Sequence, residues 1–219
     1  MSTSDPARLP DFLERIVLAA QDASPALRLV GGTGLALLLG HRRSDDLDLF
    51  CGVREDIEPV VRAVEHACEA LGTTAHRVRS GPGFVRLEVP HEEGPLRVDV
   101  ASDTAPRLVE EQTLVGPVRV ESLRDQRANK IVALLGRSEL RDLVDLYFID
   151  RAGMPVLEGF EDAVRKDGGM DPAWFAWAVS QIEPQALRGM IAPLDLEALR
   201  RFRDELQRGA LDKAGARQT

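Results

Sequence analysis

The segment Leu27-Arg28-Leu29-Val30-Gly31-Gly32-Thr33-Gly34, followed nine residues later by Ser44-Asp45-Asp46-Leu47-Asp48-Leu49-Phe50, carries the pattern that decides the fold. Leu27 to Val30 reads as a short strand and the apolar run Leu35 to Leu39 as a helix, so the glycines between them make a strand, turn, helix unit. Asp46 to Cys51 alternates with a period of two, as a half-buried strand does. On such a strand Asp46 and Asp48 project from one face, and Leu47 and Leu49 from the other.

Working outward, Phe12, Ile16, Val17 and Ala20 have helical spacing within Pro10 to Gln21, with Pro10 suited to a first turn. Downstream, a helix over Asp56 to Leu71 is stopped by Gly72. Strands follow at Ala75 to Arg79, Phe84 to Val89 and Leu96 to Ala101, separated by the turn signals Gly81-Pro82-Gly83 and Glu93-Gly94-Pro95. After a last strand at Val118 to Val120 the character changes. Ser122 is a good N-cap for a helix reaching Leu135 with Gly136 closing it, and further helical patterns cover Glu139 to Arg151, Phe160 to Arg165, Pro172 to Ile182 and Leu196 to Leu206. Gly209 to Thr219 is small and polar and expected to fray. The expectation is an α+β fold: a small mixed β-sheet domain over residues 1–121, followed by a helical domain over residues 122–219.

At 219 residues and 24.0 kDa the chain is one ordinary domain or two small ones. Its apolar runs fall far short of the ~20 residues that cross a bilayer. Met1-Ser2-Thr3-Ser4-Asp5-Pro6 lacks the basic and apolar parts of a secretory signal, so a cytoplasmic location is expected. Cys51 and Cys68 are too few for a disulfide framework and are expected in the core. The net charge of −8 argues against a protein that coats nucleic acid nonspecifically. Locally, however, Arg119 to Arg141 holds six basic residues against three acidic ones, a window that would attract a polyanion. The four histidines have no metal-like spacing, and Trp174 and Trp177, three apart on a helix, are expected in the core.

Two carboxylates held side by side repel each other, and a divalent cation between them relieves the repulsion; hard oxygen donors of this kind suit Mg²⁺ or Mn²⁺. Gly31 and Gly32 leave backbone N–H groups uncovered at a helix N-terminus, where phosphate can be cradled. In Arg97-Val98-Asp99-Val100, Asp99 faces away from the two valines, and a neighbouring strand would bring it to Asp46 and Asp48. Three carboxylates beside a phosphate cradle are what transfer from a nucleoside triphosphate requires. The plainer alternative is a simple turn beside polar residues on an exposed strand face. Thr33 and Ser44 are candidate hydrogen-bond partners of phosphate, as are Arg42 and Arg43, which would otherwise meet an acceptor backbone.

These residues resemble the signature of the nucleotidyltransferase fold of the polymerase beta type. With His41-Arg42-Arg43-Ser44-Asp45-Asp46-Leu47-Asp48-Leu49, Arg97-Val98-Asp99, Ala128-Asn129-Lys130 and Arg141-Asp142-Leu143-Val144-Asp145-Leu146, the chain is more narrowly similar to the AbiEii toxin family, whose members resemble the MenT toxins of mycobacteria. The resemblance implies that Asp46, Asp48 and Asp99 are catalytic and bind metal. It gives Gly31, Gly32, Thr33, Ser44 and Lys130 to the nucleotide, and makes Asp142 orient nucleotide or acceptor, with the helical domain completing the cleft. Solvated helix residues and helix-surface pairing are the plain alternatives for Lys130, Arg141, Asp142 and Asp145.

The implied activity is transfer of a nucleoside monophosphate from an NTP, with two divalent metals (Mg²⁺ or Mn²⁺), to an acceptor hydroxyl, that of the 3′ end of tRNA. The implied setting is the toxin of a pair with a separately encoded antitoxin. Modification of a small molecule such as an aminoglycoside, or of a protein hydroxyl, and a non-catalytic binding module are the other classes this sequence admits.

Overall fold

The computed structural model describes residues 8–44, 46–92 and 94–216. The readings of Met1 to Pro6, Asp45, Glu93 and residues 217–219 lie outside the described residues. The chain divides into two compact units: one runs up to Pro106 and includes Glu110–Ser122, and the other joins Arg107–Val109 to Leu123 and beyond.

The first unit is a seven-stranded mixed sheet in the order β3-β4-β5-β2-β1-β7-β6. Its strands are β1 (Arg28–Val30), β2 (Leu47–Val53), β3 (His76–Gly81), β4 (Phe84–Val89), β5 (Leu96–Asp103), β6 (Thr113–Val115) and β7 (Val118–Val120). Its helices are α1 (Asp11–Ala23), α2 (Gly31–Leu39) and α3 (Glu58–Ala70). Leu47, Leu49 and Cys51 of β2, Leu87 of β4 and Val98 and Val100 of β5 are fully buried. They form one core with Ile16, Val17 and Ala20 of α1 and Val61, Val64 and Cys68 of α3. The alternation in β2 and β5 therefore sorts apolar residues to the helix-covered side and sends Asp48 and Asp99 to the other. Burial pushes the Cys68 thiol up to about 11, so it behaves as a small apolar residue.

Some local details depart from the sequence expectation. The glycines do not form a turn ahead of α2, because Gly31 is already its first residue, with φ +65. Gly40 closes that helix in the left-handed region, donating its N–H to the Ala36 carbonyl at 2.8 Å. Thr113–Val115, unassigned in the sequence reading, pairs with Val118–Val120 as a hairpin edge.

The second unit comprises α4 (Leu123–Arg137), α5 (Leu140–Arg151), a 3-10 turn at Val156–Gly159, α6 (Phe160–Lys166), α7 (Pro172–Ser180) and α8 (Leu196–Ala216). Helix α4 passes through Gly136, and Ser138, at φ +48, makes the turn that the glycine was expected to make. Asp171 caps α7 by accepting the Trp174 N–H at 2.8 Å, with Pro172 in the first turn. Ile131, Leu134, Leu143, Leu146, Phe175 and Leu199 are fully buried. Gly209 to Ala216 continues α8 rather than fraying. Trp174 and Trp177 are not core: they are 57% and 53% exposed and lie against each other, with ring centroids 5.2 Å apart.

The two faces of β2 should respond differently to mutation. Leu49→Ala is expected to cost about 2–5 kcal/mol in urea unfolding, whereas Asp48→Asn, which relieves like-charge crowding, should change stability by under about 1 kcal/mol.

Candidate active site

β2 and β5 run parallel, with Asp48 beside Asp99 in the register, while β1 places Val30 beside Asp48 on the other side. The chain therefore turns into α2 at the Asp48 carboxylate. A Cβ on Gly31 would stand 2.0 Å from Asp48 Oδ2, and only a residue without one admits the carboxylate so close to the helix start. A Cβ on Gly32 would stand 2.8 Å from both Arg42 Nη2 and Ser44 Oγ, so a guanidinium and a hydroxyl lie directly over this glycine. Together with the helix N-terminus they make a polar pocket suited to phosphate oxygens. Thr33 has a different place: it is buried and its hydroxyl donates to the Asp46 carbonyl, clamping the loop that ends in β2.

The carboxylates do not face one another undiluted. Arg86 of β4, beside Asp99 in the register, donates through Nε and Nη2 to Asp99 Oδ1 and Oδ2, both at 2.7 Å. Arg97, two residues before Asp99 and on its face, pairs with Asp46. The hydrogen bond to Asp99, with the charges of Asp99, Asp46 and Asp48, raises the Arg86 pKa further against the opposing effect of burial. Among the described residues no three His, Cys, Asp or Glu side chains are gathered as a metal cage. In kind the donor set fits a hard divalent cation: Asp48 and Asp99, neighbours on one sheet face, and Asp46, just ahead of β2, are carboxylates that would supply it with oxygens.

Sequence reasoning missed Arg86 and Arg97. Alternation alone places Arg97 on the Asp99 face, but linking Arg86 to Asp99 requires the β4 to β5 register, which a single sequence does not contain.

Within the second unit, Lys130 is buried and donates to Asp142 Oδ1 at 3.0 Å, and it lies 2.6 Å from Asp145 Oδ2. Arg137 binds Asp142 through Nε at 2.6 Å and Nη2 at 2.8 Å. Burial disfavours the Asp142 carboxylate, but the hydrogen bond from Arg137 and the charge of Lys130 outweigh it and hold its pKa below the ordinary value.

The basic window is likewise engaged internally. Arg119 donates to the Gln21 and Ser24 carbonyls, Arg124 and Arg127 bind Asp162, and Arg141 pairs with Glu139. The window expected to attract a polyanion is thus paired within each unit, while the side chains of Arg124, Arg137 and Arg141 keep more than two-fifths of their surface exposed. Elsewhere, a cavity of 390 Å³ lined by Arg8, Leu9, Glu14, Leu37, Val115 and Val118 includes none of Asp46, Asp48 and Asp99.

A family model described as nucleotidyl transferase AbiEii toxin, type IV toxin–antitoxin system, matches residues 11–217. The structure is similar to that of a candidate nucleotidyltransferase from H. pylori, with a TM-score of 0.61, 18% identity and 94% of each chain covered. It is equally similar to JHP933 from Helicobacter pylori, with a TM-score of 0.61, 18% identity, and 94% of this chain and 92% of that chain covered. These likenesses show the fold. Among curated proteins, none matches this sequence.

Two outcomes follow from the site geometry. Lys130→Met strands two buried carboxylates and is expected to lower stability by about 3–5 kcal/mol in chemical denaturation. Because the Asp142 pKa is lowered by folding, its contribution is complete above the unfolded value and is lost as pH falls below about 4. Asp142→Asn should therefore flatten the acid limb of a stability-against-pH profile.

Proposed function

This chain belongs to the AbiEii nucleotidyl transferase toxin family, and we propose that it transfers a nucleoside monophosphate from a nucleoside triphosphate to an acceptor hydroxyl. The observation that supports this most is the row formed by the Gly31 helix start, Asp48 and Asp99 across three neighbouring strands. It sets a helix N-terminus, where backbone N–H groups favour anions, against a pair of carboxylates.

In this reading the N–H groups at the start of α2, with Arg42 and Ser44 over Gly32, hold the triphosphate. Asp46, Asp48 and Asp99 are the residues that would hold Mg²⁺ or Mn²⁺, which supplies neutralisation of phosphate charge and polarisation of oxygen. Asp99 takes the proton of the acceptor hydroxyl, whose oxygen forms a bond to the α-phosphorus as the bond to the bridging oxygen breaks and pyrophosphate leaves. Arg86 keeps the two Asp99 oxygens in a fixed plane by its paired hydrogen bonds. The resemblance assigns Lys130 to the triphosphate and Asp142 to orienting nucleotide or acceptor. In that role Asp142 and Asp145, which engage two sides of the three-donor Lys130 ammonium, would set its position.

The acceptor we favour is the 3′ end of tRNA. Its modification would block aminoacylation and account for a toxin that a separate antitoxin restrains.

Incubation with α-labelled nucleoside triphosphates, Mg²⁺ and total tRNA is expected to label the RNA. Asp46→Asn and Asp48→Asn should each lower labelling by at least about 10³-fold while circular dichroism stays unchanged, a loss in the range set by removing a main source of transition-state charge stabilisation. Retained labelling in both variants defeats the assignment of the carboxylates.

A further inference from the structure

The nucleotidyl-transfer reading leaves open which surface receives the acceptor, and the arginines of the Arg119 to Arg141 window are already paired with acceptors of their own unit. The strand register supplies an answer. Arg79 of β3 lies beside Arg86 of β4, which lies beside Asp99 of β5, which lies beside Asp48 of β2. One line across the sheet thus runs from the helix start at Gly31, through two carboxylates, to two arginines at the outer edge.

In-line displacement at phosphorus requires the attacking oxygen and the leaving pyrophosphate on opposite sides of the α-phosphorus. If the triphosphate lies at the Gly31 end, the acceptor comes from the β4 and β3 end. There the surface has a definite chemistry. Phe84, two residues before Arg86 on β4, has the guanidinium carbons of both Arg79 and Arg86 5.8 Å from its ring centroid. All six residues of the edge strand β3 are exposed. Arg77 is drawn away by ion pairs with Glu58 and Glu65, and Glu88, the one acidic residue of the two strands, lies beside Arg97. Guanidiniums flanking a half-exposed aromatic ring suit phosphodiester oxygens and a stacked base, and repel an oligocationic drug.

On this basis, and resting on the transfer reading above, the geometry points to the β3–β4 hairpin, through Arg79, Phe84 and Arg86, as the platform for the acceptor: the single-stranded 3′ end of a polynucleotide. Arg86 serves twice, fixing Asp99 and closing the platform on its inner side.

Arg79→Glu and Phe84→Ala alter the platform without touching the carboxylates, and their folding is checked by circular dichroism. Binding is read by fluorescence anisotropy of an RNA ending in an unpaired 3′ tail, and transfer by labelling of tRNA and of an aminoglycoside panel. The expected result is a Kd and an acceptor KM raised about tenfold or more by each variant, as loss of a stacked base or a phosphate contact implies, with KM for the triphosphate unchanged. Arg79→Gln should also reduce the salt dependence of log Kd by about one ion. Unchanged RNA affinity in both variants, or wild-type transfer to aminoglycosides and not to RNA, overturns the platform while leaving nucleotidyl transfer in place. Absence of transfer from any triphosphate overturns the transfer reading instead, and the anisotropy series still decides whether the hairpin binds RNA.

Discussion

Like charges crowded on one face of a sheet must be compensated, and in this protein the compensation is built into the strands themselves. Asp48 and Asp99 project from the face that α1 and α3 leave uncovered, and Asp46, just ahead of β2, reaches Arg97. Arg97 and Arg86, placed by strand alternation and by register, meet Asp46 and Asp99. The Asp48 carboxylate instead lies over the helix start, where the partial positive charge of the first N–H groups favours an anion. Charge on this face is thus balanced by groups of the protein itself.

The helical unit uses the same device in a drier place. Lys130 with Asp142 and Asp145, Lys166 with Asp125, and Arg124 and Arg127 with Asp162 are ion pairs with at least one member buried. Asp125 also accepts the backbone N–H groups of Leu108 and Val109, which fastens that short segment to α4. Such pairs contribute little net stability, but loss of one partner is severe. Activity lost on mutation of Lys130 or Asp142 therefore has to be read against stability before it is assigned to chemistry.

Much of the architecture was legible in the sequence because it is written in periodicity. The alternation of Leu47 to Cys51 and of Arg97 to Val100, and the helical spacing of Ile16, Val17 and Ala20, name the core face directly. What escaped was non-local or locally atypical. No pattern announces that Arg86 will meet Asp99 thirteen residues away, or that the cations between Arg119 and Arg141 will be engaged by Asp162 and by carbonyls of α1 and the loop that follows it. Trp174 and Trp177 read as core from their type, yet the fully buried Phe175 between them occupies the inner face of α7 and turns both indoles outward.

The central claim is that Asp46, Asp48 and Asp99 serve a common cation and triphosphate site beside Gly31. The most direct measurement is a Mn²⁺ titration followed by electron paramagnetic resonance, with and without a non-hydrolysable triphosphate. The account predicts saturable Mn²⁺ binding that tightens with the triphosphate and weakens by at least about tenfold in Asp48→Asn, as loss of a metal-ligand carboxylate implies. Binding that is absent with triphosphate present, or identical in wild type and Asp48→Asn, would contradict it.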